Sequence, residues 1–133
     1  AIATVAKSDD NATAGIFAML DGFNDGQEFL FTAGAARHHI NTSDLIVSAT
    51  ITNKNVYFAN YDGSTQLVSI NGTATTQSAS TTVNVSVVSS IGFRVNTDNI
   101  LNGSIEELIV YTSDQSANRA ALETNINSHY SIF

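Results

Sequence analysis

Short turn signals divide this chain into pieces too brief for most folds. Asp21-Gly22, Asp25-Gly26, Asp62-Gly63, Asn71-Gly72 and Asn102-Gly103 are spread along it. Each is suited to a tight turn, because Gly reaches positive φ without strain and Asn or Asp tolerates it. Between and around them lie apolar and β-branched runs at residues 2–7, 15–20, 27–33, 35–40, 45–52, 56–61, 66–70, 82–88, 91–95 and 104–111. Runs this short suit strands better than helices. About ten strands at this spacing predict an all-β fold, an antiparallel β-sandwich or jelly roll. The stretch 72–82 is rich in Thr, Ser and Ala, shows no period, and is expected to be a solvated connection.

Only the C-terminus has helical spacing. Leu122, Ile126 and Tyr130 recur at i, i+4 and i+8, one apolar stripe. Ser113 or Ser116 can cap the helix, and Asp114 suits the positive end of its dipole. Asn118, Glu123, Asn125 and Asn127 are expected to face away from the stripe. The helix should lie on the sandwich, next to the strand that precedes it. That strand, residues 105–111, has apolar residues on both parities, as a strand covered on both faces would.

Composition narrows the function classes. The 133 residues suffice for one domain spanning 1–133 with a core of its own. There is no Cys, hence no disulfide framework, thiolate metal site or Cys nucleophile. Five basic residues against twelve acidic ones make nucleic acid a poor partner. No apolar run approaches the ~20 residues of a membrane-spanning helix. Charged residues are only 13% of the chain, and Asn, Ser and Thr make up about a third. That balance suits an extracellular or virion β protein solvated by amides and hydroxyls. Strand-like sequence starts at once after Ala1, with no Met and no signal-peptide pattern. The expectation is a cut, or the first ordered residue of a longer polypeptide.

The C-terminal third carries a pattern: Ile91-Gly92, then Leu101-Asn102-Gly103-Ser104-Ile105-Glu106-Glu107-Leu108-Ile109-Val110-Tyr111, then Ser113-Asp114-Gln115-Ser116-Ala117-Asn118-Arg119 and the helix. This resembles the close of a concanavalin A-like, laminin-G-like jelly roll. Tyr61-Asp62-Gly63-Ser64 followed by Val68-Ser69-Ile70-Asn71-Gly72 resembles a hairpin of that family, and Thr4-Val5-Ala6-Lys7 with Ile16-Phe17 resembles its early strands. The wording of residues 113–127 is similar to versions in structural proteins of tailed bacteriophages. The resemblance implies a virion structural or adhesion domain, on a capsid decoration, spike or tail fibre. It also implies a strand before Ile2 that this sequence lacks, to be supplied by a longer chain or a neighbour.

Glycosidases of the resembling fold carry Glu-x-Asp-x-x-Glu, which is absent here. Glu106 and Glu107 are adjacent, and adjacent strand residues point to opposite faces, so they do not form the carboxylate pair that glycoside hydrolysis needs. The family motif implies a structural, hydrogen-bonding Glu107 beside a solvated Glu106. No catalytic residues are assigned and no enzyme is expected. Asp21, Asn24 and Asp25 are candidate calcium ligands, since oxygen donors are dense there; two consecutive tight turns are the simpler account. No other cofactor is expected. His38 and His39 should face opposite ways, and His129 should lie on the helix, so none forms a metal site. Candidates for sugar binding are Arg37, Tyr57, Asn60, Tyr61 and Asp62, which offer aromatic faces and polar groups. Phe17, Phe29, Phe31, Phe58 and Phe93 are assigned to the core. Asn-x-Ser/Thr sequons at Asn11, Asn41, Asn71, Asn84 and Asn102 follow from an Asn/Thr-rich chain.

The expectation is therefore a non-enzymatic domain at a virion surface. Its partners would be other virion subunits, copies of itself or host-surface glycans, with no nucleic acid and no membrane. The alternative is a carbohydrate-binding module of a secreted or cell-surface bacterial protein, placed outside the cell.

Overall fold

The structure, a computed structural model, describes residues 1–20, 26–83, 88–94 and 99–133. The strands in chain order are β1 (Ile2–Ser8), β2 (Ala14–Leu20), β3 (Gly26–Thr32), β4 (Ala35–Ile40), β5 (Ser43–Ser48), β6 (Asn55–Tyr61), β7 (Thr65–Ile70), β8 (Thr73–Ser78), β9 (Val88–Ile91) and β10 (Gly103–Val110). A single 3-10 turn (Ser116–Asn118) leads into α1 (Arg119–Tyr130). The strands form two five-stranded antiparallel sheets, ordered β10-β1-β6-β7-β8 and β5-β4-β3-β2-β9. The fold is thus the all-β sandwich with one C-terminal helix that the turn spacing predicts. β1 has neighbours on both sides, so any strand joining its sheet adds at β10 or β8.

The inner layer between the sheets is apolar and close-packed. Tyr57 sits at its centre, with the rings of Phe29 and Phe31 at 5.8 and 5.3 Å between centroids. A second apolar layer lies outside β1 and β6. There Ala3, Val5, Val56 and Phe58 pack with Ile126, flanked by Leu122, Tyr130 and Ile109. The i, i+4, i+8 stripe of α1 is what covers this face. The helix rests mainly over β6 and β1, and meets β10 at its margin, through Ile109 and the Glu106 carbonyl. β10 is covered on both faces as expected, with Ile105 and Leu108 turned into the inner core.

Several sequence expectations need correction. Residues 73–78, read as part of a connection, form β8; this edge strand has almost no buried position, so it leaves no alternation to read. The run 45–52 stops as a strand at Ser48, because the chain turns and drops Ile51 into the core. The run 91–95 is no strand over 92–94, and most of 82–88 lies outside the described residues. Phe93 is 38% exposed rather than core: its backbone is laid across Gly15, where any Cβ would collide with it. Asn102-Gly103 is not a tight turn but the start of β10, where Gly103 lets that strand press against Lys7 and Ser8. Asn71-Gly72 is the turn predicted, with φ of 50° and 82° joining β7 to β8 in a two-residue hairpin.

Glu123 was expected to face solvent, yet it is buried. The cause is Arg119, one turn earlier, whose guanidinium pairs with the Glu123 carboxylate and also donates to Ser69 Oγ and the Gly72 carbonyl, both at 3.2 Å. The helix start differs too: neither Ser113 nor Ser116 caps α1, whose N-cap is Asn118 without a side-chain bond. Asp114 instead accepts the Ser116 N–H at 2.9 Å and so opens the 3-10 turn.

Truncating Ile126 to Ala should cost about 2–4 kcal/mol, the usual range for a buried aliphatic side chain. Urea unfolding of the variant checks this; a loss under about 1 kcal/mol would mean that α1 does not seal the outer layer.

Candidate functional site

The register of β1 places the site. Ile2 pairs with Ala59 on one side and with Val110 on the other. Tyr61 and Tyr111 therefore leave their strands at the same end of the sandwich, although β1 separates those strands. The two tyrosines share a concavity of about 310 Å³ that is also lined by Met19, Gln27, Ser113 and Asp114.

The rim of this concavity is fixed by hydrogen bonds. Asn60 Nδ2 donates to Asp114 Oδ1 at 2.7 Å, and the Gln115 N–H donates to Asn60 Oδ1 at 3.1 Å. Asn60 is itself buried, so it joins the end of β6 to the 3-10 turn and presents nothing to solvent. The bond from the Ser116 N–H, reinforced by the Ser116 hydroxyl and Asn60, holds the Asp114 carboxyl below the usual carboxylate range. Asp114 is exposed and stays an ionised acceptor. The Tyr61 hydroxyl donates to the Thr81 carbonyl at 2.6 Å and accepts the Thr81 N–H at 3.1 Å, which fixes its ring at the opening.

The five sugar-binding candidates do not converge. Asn60 and Tyr61 are at the concavity. Asp62 is the next residue, but its Oδ1 accepts the N–H groups of Ser64 and Thr65, both at 2.7 Å. Those backbone bonds hold its carboxyl below the usual range and commit it to the β6–β7 turn. Arg37 lies on the other sheet, gripping both oxygens of Asp44 at 2.6 and 2.8 Å. Burial works against the Asp44 charge, but the bonds from Arg37 and His39 outweigh it and keep that carboxyl low. Tyr57 is corrected outright: it is fully buried, its hydroxyl accepts from Asn55 at 2.9 Å, and burial pushes its ionisation up to about 12. No ligand can stack on it. Tyr111, Asp114 and Gln27 were not among the candidates. The sequence signal for Tyr111 and Asp114 is an aromatic followed by a polar triplet at the exit of the last strand; Gln27, within β3, has none.

The calcium candidates Asp21, Asn24 and Asp25 lie outside the described residues. Among the described residues no group of three or more His, Asp or Glu side chains could hold a metal. His38 and His39 do face opposite ways. His39 Nδ1 meets Asp44 at 2.7 Å on the outer face. His38 points into the core, where Gln27 Nε2 donates to its Nε2 at 2.9 Å, so the neutral ring carries its proton on Nδ1. Gln27 thus links the concavity to a buried imidazole.

A second concavity, of about 410 Å³, lies at the C-terminal end of α1 beside Glu107, Asn125, Ser128, His129 and Tyr130. Strand alternation fails here, contrary to the expectation for the adjacent carboxylates. Val5 pairs with Glu107 and Ala6 with Ile105, so Glu106 is the extra residue of a β-bulge. Glu106 is held by Lys54 at 2.8 Å. Desolvation, then Glu107 and Glu106, raise the ionisation of the Tyr130 hydroxyl, which places both carboxylates near it. This hollow is polar, and its tyrosine hydroxyl donates to the Glu106 carbonyl at 3.3 Å.

No protein-family model and no curated protein matches the chain. Among solved structures, it is similar to the receptor binding domain of botulinum neurotoxin mosaic serotype C/D, with a TM-score of 0.61 and 14% identity. The match covers 93% of this chain and 35% of that one, so the chain spans about a third of that protein's length. At this identity the likeness shows a shared sandwich fold.

Burial holds the His38 imidazole down at about 3, against an ordinary 6.5. An unfolded chain takes up a proton there that the folded one refuses. The contribution of neutral His38 is therefore complete above pH 6.5 and is lost as pH falls towards 3, by about 1.4 kcal/mol per pH unit. His38→Gln should flatten the pH dependence of urea-unfolding stability between pH 6 and 4.5 by about one proton. An unchanged slope would place His38 in solvent contact.

Proposed function

We propose that this chain is a non-enzymatic binding domain that takes carbohydrate at the end of the sandwich, in the concavity of Tyr61 and Tyr111. One observation carries the reading. Two aromatic rings, an ionised carboxylate and an amide meet in a single opening whose rim is fixed by hydrogen bonds. Sugar rings present apolar C–H faces and many hydroxyls. An aromatic wall takes the first, and Asp114, Ser113 and Gln27 take the second. A sandwich of this kind makes up about a third of the botulinum receptor binding domain, a likeness of fold that suits a binding role here.

The setting we infer is a virion surface, as an adhesion domain of concanavalin A-like type on a capsid decoration, spike or tail fibre. It rests on the resemblance of residues 91–127. A carbohydrate-binding module of a secreted or cell-surface bacterial protein would use the same opening. Immunogold labelling of the source preparation separates the two: label at regular positions on particles supports the virion setting, and label confined to cell envelopes overturns it.

Binding is tested on a glycan array. The wild-type domain should bind a restricted set of glycans, and Tyr111→Ala should weaken binding at least tenfold with thermal stability nearly unchanged. Calcium chelation reports separately on the candidates Asp21, Asn24 and Asp25. Wild-type silence on the array, or full binding by Tyr111→Ala, would contradict the proposal.

A further inference from the structure

The edges of the sheets are treated unequally. β10 is interrupted by its bulge and carries the Glu106–Lys54 pair. β5 carries Asp44, locked to Arg37. Among the described residues β9 spans four positions, Val88–Ile91. β8 has none of these protections. Among the described residues it pairs with β7 alone, and Thr73, Ala74, Thr75, Thr76 and Ser78 are all exposed, with only Gln77 of the strand turned towards the other sheet. Unguarded edges of this kind are templates for another strand. Gln77 holds the template in place by donating to the Asp44 carbonyl and to Gln66 Oε1, both at 2.7 Å.

Charge selects the partner. From Gly63 to Phe93 the sequence has no charged residue, in a chain whose net charge is −7. Two copies repel each other over most of their surfaces, and least at this edge. A cationic partner would instead be drawn to the acidic regions elsewhere. We propose that β8 is a homotypic docking edge, where two copies of this chain join β8 to β8, antiparallel about a twofold axis, into one ten-stranded sheet.

Hydrogen-bond phase fixes the register. The Ala79 N–H donates to the Ser64 carbonyl, so alternate residues 79, 77, 75 and 73 turn their backbone groups towards β7. Ala74, Thr76 and Ser78 turn theirs outward. Centring the axis on Thr76 pairs Thr76 with its own copy and Ala74 with Ser78. Every cross-strand pair is then small or uncharged, as a self-complementary interface requires.

The chain has no cysteine, which makes the test clean. Residues paired across a hydrogen-bonded antiparallel site have Cα atoms about 5.5 Å apart, within reach of a disulfide. Thr76→Cys should therefore give a covalent dimer under mild oxidation, whereas Ile46→Cys on β5 should stay monomeric. Sedimentation velocity should show a concentration-dependent dimer for the wild type. Thr76→Lys, which adds the charge this edge lacks, should sediment as a folded monomer by circular dichroism. A wild type that stays monomeric to several hundred micromolar would overturn the proposal, as would a dimer that survives Thr76→Lys or crosslinks equally through Ile46→Cys. Glycan binding by a monomer would leave the carbohydrate site standing while this edge fails.

Discussion

The fold depends on β1, a strand with no solvent-facing side. Ile2 and Ala6 enter the core between the sheets, while Ala3 and Val5 enter the layer under α1. Its two edges are taken by β10 and β6. A strand enclosed in this way allows one register only, since a slip of one residue would exchange its two apolar faces and unmatch both neighbours at once. That register fixes which residues leave β6 and β10 together, and so it builds the concavity of Tyr61 and Tyr111. The outer layer makes the helix indispensable. Phe58 and Val56 would otherwise face water, at a cost of about 1.5–3 kcal/mol each.

Polar contacts then orient what the apolar layers hold. Arg119 and Glu123 form an ion pair between helix and sheet, anchored to Ser69 and the β7–β8 turn. Removing a buried charge from water offsets much of what such a pair gains, so its main effect is on orientation. Asn60 does the same, tying β6 to the start of the helical segment through Asp114 and Gln115. The start of the helix is thereby anchored twice, and the rim of the binding site is one of those anchors. Exposed Asp114 gains its fixed position from a buried amide.

Much of the architecture was legible because its signals are local. Asn71-Gly72 marked a real hairpin, and the spacing of Leu122, Ile126 and Tyr130 marked the helix and its buried stripe. What escaped was decided by distant contacts. β8 showed no alternation because nothing covers it. Glu123 read as solvated because its partner Arg119 and its anchors on β7 become neighbours only on folding. Tyr57 read as a rim residue, since a tyrosine on a strand looks the same in sequence whether it faces a groove or the core. The site was half visible for the same reason: Asn60 and Tyr61 were found on one strand, while Tyr111 and Asp114 join them through the pairing of β1 with both neighbours.

Amide chemical-shift mapping tests the central claim most directly, that the sandwich end is where this domain binds. The labelled chain would be titrated with neutral, N-acetylated and sialylated oligosaccharides. The account predicts saturable shifts clustered at Gln27, Tyr61 and residues 111–114, with the rest of both sheets unmoved. Shifts centred on Glu107 and residues 125–130, or no shifts with any sugar class, would contradict it.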